Sequence, residues 1–347
     1  MQNLCDITEK LLSWYQKNAR QLPWRENPTA YGVWISEIML QQTRVEAVKQ
    51  YYIRFMQELP TIKHLSEVSE EKLLKLWQGL GYYNRAKNLK KAAIDVMQNY
   101  NGEIPNDYQK LLKLSGIGEY TAGAICSIAF AQPEAAVDGN VLRVMTRLYA
   151  DDRNITEKEV KKQYSDSIKQ VLKNTNPSMF NQALMELGAV ICLPNGKPKC
   201  EICPIQQYCK AYEQNNMTEF PHKTLKKQRK IEQRELFFIL CQNKLALHKR
   251  AEKGLLSNMW ELPNVLKEEN IQQTLQKWGI QSNTIIQMGE AKHIFTHIQW
   301  EMEGYFVKTE CFENNYNFVW VTQEQLQKEY ALPSAFREYV KKGWEMI

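Results

Sequence analysis

The chain has 347 residues, more than one typical domain needs, and its 44% hydrophobic content is enough to bury real cores. A net charge of +6 is mildly basic, which suits a nucleic-acid partner without demonstrating one. No apolar run approaches the ~18 residues of a membrane span, and Met1–Lys10 lacks a signal-peptide pattern. An intracellular, cytoplasmic protein is therefore expected, with its eight cysteines as thiols or metal ligands rather than disulfides; a monomer is expected as well, although nothing in the composition fixes the oligomeric state.

An amphipathic helix (Ile7, Leu11, Leu12, Trp14, Tyr15) opens the chain, and Pro23 is expected to end it. Trp24 and Arg25 then set a flat aromatic beside a fixed cation, a pair able to stack on or hydrogen-bond a base. A buried Trp with a surface Arg is the plainer alternative. A second helix carries Glu37 among Trp34, Ile35, Ile38 and Met39. Burial raises a carboxylate's pKa, as a general acid near neutral pH requires. Gln41, Gln42 and Thr43 follow at an expected turn, where an amide can enter a base stack or bond a base edge.

Further helix follows, with Leu73, Leu74, Leu76 and Trp77 on one face, until Gly79-Leu-Gly-Tyr82-Tyr83-Asn-Arg85 interrupts it. Glycines followed by paired tyrosines suit a loop with an aromatic wedge for DNA, although such pairs are more often core. Next, a short amphipathic helix (Leu111, Leu112, Leu114) runs into Ser115-Gly116-Ile117-Gly118, and a small-residue helix leaves with Tyr120. Two glycines one residue apart allow a tight turn that aims N–H groups at phosphate oxygens. Asp138 follows in Val137-Asp-Gly-Asn140, before an apolar helix. Taken alone it reads as a helix N-cap.

More amphipathic helices lead to Phe180-Asn-Gln182 and Gly188-Ala189, and then to Cys192, Cys200, Cys203 and Cys209. Four thiols in so short a segment indicate a metal centre, and spacing alone leaves both zinc and an iron–sulfur cluster open. Residues 214–234 read as a linker bearing Lys223, Lys226, Lys227, Arg229 and Lys230. Beyond it the texture turns to strands: Leu236–Cys241 and Lys244–Arg250 about a Gln242-Asn243 turn, then Ala291–Ile298, Gln299–Val307 and Asn317–Val321, with a helix over Ile271–Trp278.

Taken together, Pro23-Trp24-Arg25, Glu37 with Gln41-Gln42-Thr43, Gly79-Leu-Gly-Tyr82-Tyr83, the Gly116-Ile-Gly118 hairpin, Val137-Asp-Gly-Asn140 and the four cysteines closely resemble the MutY family, within the helix-hairpin-helix DNA glycosylase superfamily. They cover residues 20–209. The resemblance implies a multi-domain fold: an all-α helix-hairpin-helix domain with a [4Fe–4S] motif over 1–213, a linker over 214–234, and an α+β Nudix-like domain over 235–347.

It also implies excision of adenine paired with 8-oxoguanine or guanine in duplex DNA, after base flipping. Glu37 would protonate adenine N7. Asp138 would stabilise or trap the oxocarbenium-like sugar, a two-carboxylate arrangement that parallels retaining glycosidases. Tyr120 and Asn140 would hold the reacting groups and water. Trp24, Arg25 and Gln182 would surround the base, Gln42 and Tyr82 would fill or wedge the stack near the lesion, and Gln41 would be a further substrate-binding residue. Gly116 and Gly118 would bind backbone. Cys192, Cys200, Cys203 and Cys209 would ligate a [4Fe–4S] cluster, although Leu193–Lys199 is one residue longer than the usual family interval.

Relatives that also cut the strand carry Lys where Tyr120 stands, so a monofunctional enzyme is expected. Ser115 replaces the hairpin's commoner Pro. In the second domain Phe295-Thr296-His297 matches the family's 8-oxoguanine contact, and no Nudix catalytic pattern follows Gly254, which argues against nucleotide hydrolysis. The rivals are a thymine mismatch glycosylase or pyrimidine-lesion lyase, and a non-enzymatic DNA-damage sensor.

Overall fold

The computed structural model describes residues 4–224, 228–267, 270–282, 284–310 and 317–347. Lys226 and Lys227 of the expected linker lie outside the described residues. Contacts divide the chain into two compact units, Met1–Glu67 with Lys87–Leu225, and Val68–Ala86 with Lys226–Ile347.

The first unit is helical. Its helices begin α1 (Cys5–Asn18), α2 (Pro23–Glu26), α3 (Ala30–Leu40), α4 (Val45–Glu58) and α5 (Ile62–Glu67). After α6 (Glu70–Trp77), which belongs to the second unit, come α7 (Asn84–Asn99), α8 (Tyr108–Leu111), α9 (Glu119–Phe130), α10 (Gly139–Tyr149), α11 (Lys158–Leu172), α12 (Pro177–Val190) and α13 (Lys210–Glu213). Pro23 does not end α1, which stops at Asn18. It starts α2 at the first helical position, where its missing N–H would have had no partner anyway.

Helix α3 is buried from Tyr31 to Met39. A helix that is apolar all round belongs inside a core, and this one draws Glu37 in with it. Leu11 of α1, Val144 and Met145 of α10, Ile168 of α11, and Phe180 and Leu184 of α12 share a second core. Where α9 meets the chain leading to α10, a Cβ on Gly123 would stand 2.0 Å from the Ala135 carbonyl oxygen. Only glycine allows that approach.

The second unit is built on a mixed sheet in the order β3-β2-β1-β6-β5, with β4 on β1 and β7 on β2. Its strands are β1 (Lys230–Cys241), β2 (Lys244–Lys249), β3 (Trp260–Glu261), β4 (Asn264–Leu266), β5 (Thr284–Ile294), β6 (Ile298–Thr309) and β7 (Val319–Val321). Strand β1 runs parallel to β6, with Leu236 opposite Gly304, and antiparallel to β2. The expected Gln242-Asn243 turn joins β1 to β2, both residues having positive φ (47° and 62°), the requirement of a tight two-residue hairpin.

Alternate β1 residues feed two cores. Leu236, Phe238 and Leu240 pack with Trp300, Phe336 and Tyr339, while Phe237 and Ile239 pack with Trp278, Tyr305 and Val307. Helix α14 (Ile271–Lys277) lies on the second face, and α15 (Gln323–Lys328) and α16 (Arg337–Glu345) on the first. Burial on both faces explains the unbroken Leu-Phe-Phe-Ile-Leu run. The segment with α6 joins this unit through Lys75, whose Nζ donates to the carbonyls of Leu326 and Tyr330, both at 2.9 Å.

Candidate active site

A cavity of about 550 Å³ opens in the helical unit. Nine of the candidate catalytic and substrate-binding residues line it: Trp24, Arg25, Glu37, Gln41, Gln42, Tyr120, Asp138, Asn140 and Gln182.

Glu37 is 6% exposed, and its Oε2 accepts a short hydrogen bond from the Tyr120 hydroxyl. Burial pushes the Glu37 carboxyl up to about 7; Asp138 adds to the rise, while Tyr120 and Arg25 oppose it. Burial and the neighbouring carboxylates raise the Tyr120 phenol, so it stays a donor. The same hydroxyl lies 3.7 Å from the Met185 sulfur.

Asp138 is the N-cap of α10. Its Oδ1 accepts from Val141 N–H at 2.7 Å, and its Oδ2 accepts from Asn140 Nδ2 at 2.6 Å. Burial raises its pKa, and those bonds, with Arg143 nearby, hold the rise back. The capping function and the cavity position therefore coexist in one side chain. The two carboxyls occupy different environments: Glu37 has one hydrogen bond and apolar walls, whereas Asp138 has several donors. Such a difference in environment separates the proton affinities of a carboxyl pair.

The walls carry aromatic and amide side chains. Trp24 is buried and packs edge-on against Tyr52 at 5.5 Å. Gln182 accepts from the Tyr15 hydroxyl and donates to Ser178, each at 3.1 Å. Gln42 sits in the left-handed region at φ 59°, a conformation that non-glycine residues adopt under constraint, often at functional sites. Gly116 and Gly118 do not line the cavity. They form the turn between α8 and α9, Gly116 at φ 80° and packed so that a Cβ would stand 2.7 Å from that of Asn88.

Tyr82 and Phe295-Thr296-His297 belong to the second unit. Tyr82 is 50% exposed at φ 49°, beneath the Arg85 guanidinium at 5.5 Å. The Phe-Thr-His stretch is not strand, as the expected Ala291–Ile298 strand would have it. Strand β5 stops at Ile294, and Phe295 N–H donates to Ile298 O at 2.8 Å, closing a three-residue hairpin turn. Thr296 and His297 are exposed at its tip, while Phe295 packs against Trp300 at 4.8 Å.

Several site residues carried no local signal. Arg143 donates to Cys192 O and to Gly188 O, both at 2.7 Å, and to Asn140 Oδ1 at 2.9 Å. Arg147 donates to Leu193 O at 2.8 Å and to the Cys192 sulfur at 3.3 Å. Asn181 bonds both sides of the strand-like approach to Asp138, at Glu134 O and Ala136 N–H. Glu186 receives Arg20 and Arg25. Apart from Asn140, three residues before Arg143, their partners lie dozens to more than a hundred residues away, and only helical spacing placing them on an inward face could have hinted at them.

Cys192, Cys200, Cys203 and Cys209 line one small pocket with Arg147 and Met217. Among the described residues no three His, Cys, Asp or Glu side chains converge closely enough to hold a single metal ion. Four thiols around a shared pocket, with a guanidinium to offset thiolate charge, fit a multi-atom cluster. Also among the described residues, no helix is long and apolar enough to cross a membrane.

Comparison with known proteins gives three matching family models: "HhH-GPD superfamily base excision DNA repair protein" over residues 35–170, the iron–sulfur binding domain of endonuclease III over 196–209, and the NUDIX domain over 235–342. The [4Fe–4S] cofactor thus belongs to the segment of the four cysteines. The adenine DNA glycosylase of Buchnera aphidicola subsp. Baizongia pistaciae is 36% identical, over 90% of each chain. The human adenine DNA glycosylase is 32% identical, covering 95% of this chain and 73% of its own. Among solved structures, a thermostable thymine-DNA glycosylase is 29% identical with a TM-score of 0.56, over 60% of this chain and 96% of its own.

Proposed function

Because this chain belongs to the adenine DNA glycosylase family, we propose that it removes adenine paired with 8-oxoguanine or with guanine, by a monofunctional route. The broader class, a DNA glycosylase of base excision repair, follows from the family. The observation that carries the mechanism is the cavity that joins Glu37, held near neutrality and bonded to Tyr120, with a hydrogen-bonded Asp138.

Adenine leaves the base stack and enters this cavity. Trp24 and Arg25 wall it, and the Gln182 amide bonds its edge. Protonated Glu37 gives its proton to N7 while Tyr120 keeps the carboxyl in place. The N-glycosidic bond breaks and its electron pair leaves with the now neutral base. Positive charge develops on the sugar, where Asp138 stabilises it, oriented by Asn140; water then bonds the sugar carbon and gives up a proton to the Glu37 carboxylate, restoring the acid. Tyr120 is a phenol and forms no Schiff base, so the strand is left uncut.

The remaining assignments follow the same reading. The turn at Gly116 and Gly118 presents the first N–H groups of α9 to the DNA backbone. Gln41 and Gln42 fill the stack near the lesion, and Tyr82 wedges it. Phe295, Thr296 and His297 read the oxidised base, the Thr296 hydroxyl serving its N7–H or O8. Cys192, Cys200, Cys203 and Cys209 hold the [4Fe–4S] cluster, which supplies a rigid anchor for α10 and for the loop bearing Lys197 and Lys199. The glycosylase domain is assigned to 1–213 without Val68–Ala86, which belongs to the Nudix-like unit of 235–347, and the linker of 214–234 gives way to β1 at Lys230.

Single-turnover excision on three duplexes tests this: A opposite 8-oxoguanine, T opposite G, and thymine glycol opposite A, each with and without alkali. Alkali-dependent cleavage at A opposite 8-oxoguanine alone is expected. Cleavage at T opposite G would favour the thymine activity named for the solved neighbour. Cleavage without alkali would mean a lyase.

A further inference from the structure

Glu186 of α12 is wholly buried, at 0% exposure. An ionised carboxyl in that position is costly unless it is paired and hydrogen-bonded. Oε1 accepts from Arg20 Nε at 2.6 Å and from the Arg20 backbone N–H at 3.2 Å. Oε2 accepts from Arg20 Nη2 at 2.9 Å and Arg25 Nη2 at 2.8 Å. Burial pushes its pKa up, but the two guanidiniums outweigh it, so the group is an anion.

Arg25 is fixed from three sides. Besides Glu186, its Nη1 donates to Arg20 O at 3.1 Å and its guanidinium lies over the Tyr15 ring at 5.7 Å. Tyr15 in turn bonds Gln182. All four of Arg20, Arg25, Gln182 and Glu186 line the cavity. One anion between two cations leaves the Arg20–Glu186–Arg25 group with a single net positive charge.

We propose that Glu186 is a positioning residue for the reaction: it fixes Arg25 at the base wall and offsets its charge beside Glu37. The proposal rests on Glu37 being the acid. The groups acting on Glu37 come from three elements: Tyr120 of α9, Asp138 at the start of α10, and Arg25 of α2. Arg25 is the cation of that set and favours ionised Glu37, the form that has no proton to give. Without Glu186 the wall would carry two uncompensated cations, and the acid would be spent at a lower pH.

The test is single-turnover excision of adenine against pH, using the full chain with its cluster. Glu186→Gln should move the alkaline limb of the profile down by ~0.5 pH unit or more, with duplex affinity little changed. Glu186→Asp keeps the charge, so its limb should stay at the wild-type position while the rate falls. Arg25→Gln should move the limb the opposite way, upward. If Glu186→Gln lowers the rate with the limb unmoved, the residue merely supports the fold and the proposal fails. If that variant does not accumulate folded, Arg25→Gln decides: removing the cation that Glu186 holds beside Glu37 should move the limb up, and an unmoved limb overturns the proposal. Should the wild type excise a pyrimidine instead of adenine, the proposed function fails, and the same limb measured on that substrate still decides the role of Glu186.

Discussion

Tyr120 and Glu37, 83 residues apart in the chain, are joined by a hydrogen bond from the phenol to Oε2 of the carboxylate. This bond favours the ionised carboxylate and so works against the burial that raises its pKa. Tyr120→Phe should therefore push Glu37 still higher and move the alkaline limb of the excision profile upward. It should also free the carboxyl to rotate, lowering the single-turnover rate about tenfold or more. A limb that moved down would contradict the bond's direction.

Glu37→Gln separates binding from chemistry. The amide keeps the shape and its oxygen can accept from Tyr120, but it has no acidic proton to transfer. Duplex affinity should stay near the wild-type value while excision falls by roughly 10²–10⁴. Equal activity would remove Glu37 from the acid role.

The same variant makes a stability prediction. The folded-state pKa of about 7 lies above the ordinary carboxyl value of 4.5, so the folded chain binds more protons between those values. Stability is present below that window and is lost as pH rises through it. Above pH 7 the cost reaches roughly 3 kcal/mol at most. Glu37→Gln should raise Tm at pH 8 and leave it near the wild-type value at pH 4.5. Equal shifts at both would mean the carboxyl is not strained by burial.

Much of this site was legible because its chemistry is written locally. Glu37 sits in an apolar helix, Asp138 precedes a cappable one, and Gly116 is needed where the backbone turns with positive φ. What escaped depends on distant partners. Arg20 and Glu186 are 166 residues apart, and neither neighbourhood announces the other. Grouping Val68–Ala86 with the strand-rich unit was equally invisible, since Lys75 finds its carbonyls about 250 positions on. Phe295-Thr296-His297 misled because β-branched and aromatic residues favour strands, whereas a local hydrogen bond closes them into a turn.

Asp138 holds the start of α10 as well as facing the cavity, and two variants divide these roles. Asp138→Asn retains an oxygen for Val141 N–H, so Tm should change little while excision collapses. Asp138→Ala should lose the cap too, costing about 1 kcal/mol more. If Asp138→Asn kept its excision rate, the side chain would be a cap alone.

The cluster segment is tied to α10 through Arg147, which donates to Leu193 O and the Cys192 sulfur. Cys203→Ser should lower the iron content and visible absorbance of the purified chain. Arg147→Met should weaken retention of the cluster on chelator treatment by removing the cation beside the thiolates. Retention equal to wild type in both variants would argue against ligation by this set.

Gly188 gives the closest test of packing against chemistry. A Cβ there would stand 2.6 Å from the Asn140 Cβ and 3.1 Å from its carbonyl oxygen. Neither atom is the end of a flexible side chain, so Gly188→Ala must displace α10 from α12. Overpacking of this kind costs about 1–3 kcal/mol. The displacement falls on Asn140, which orients Asp138 Oδ2, and on Gly188 O, which receives Arg143. Excision under single-turnover conditions should therefore fall more than the lost folded fraction accounts for, while Gly139→Ala, with open space at its Cβ, should leave packing intact. If Gly188→Ala reduces activity only in proportion to the folded protein remaining, the contact between α10 and α12 supports the fold without setting the geometry of the carboxylate.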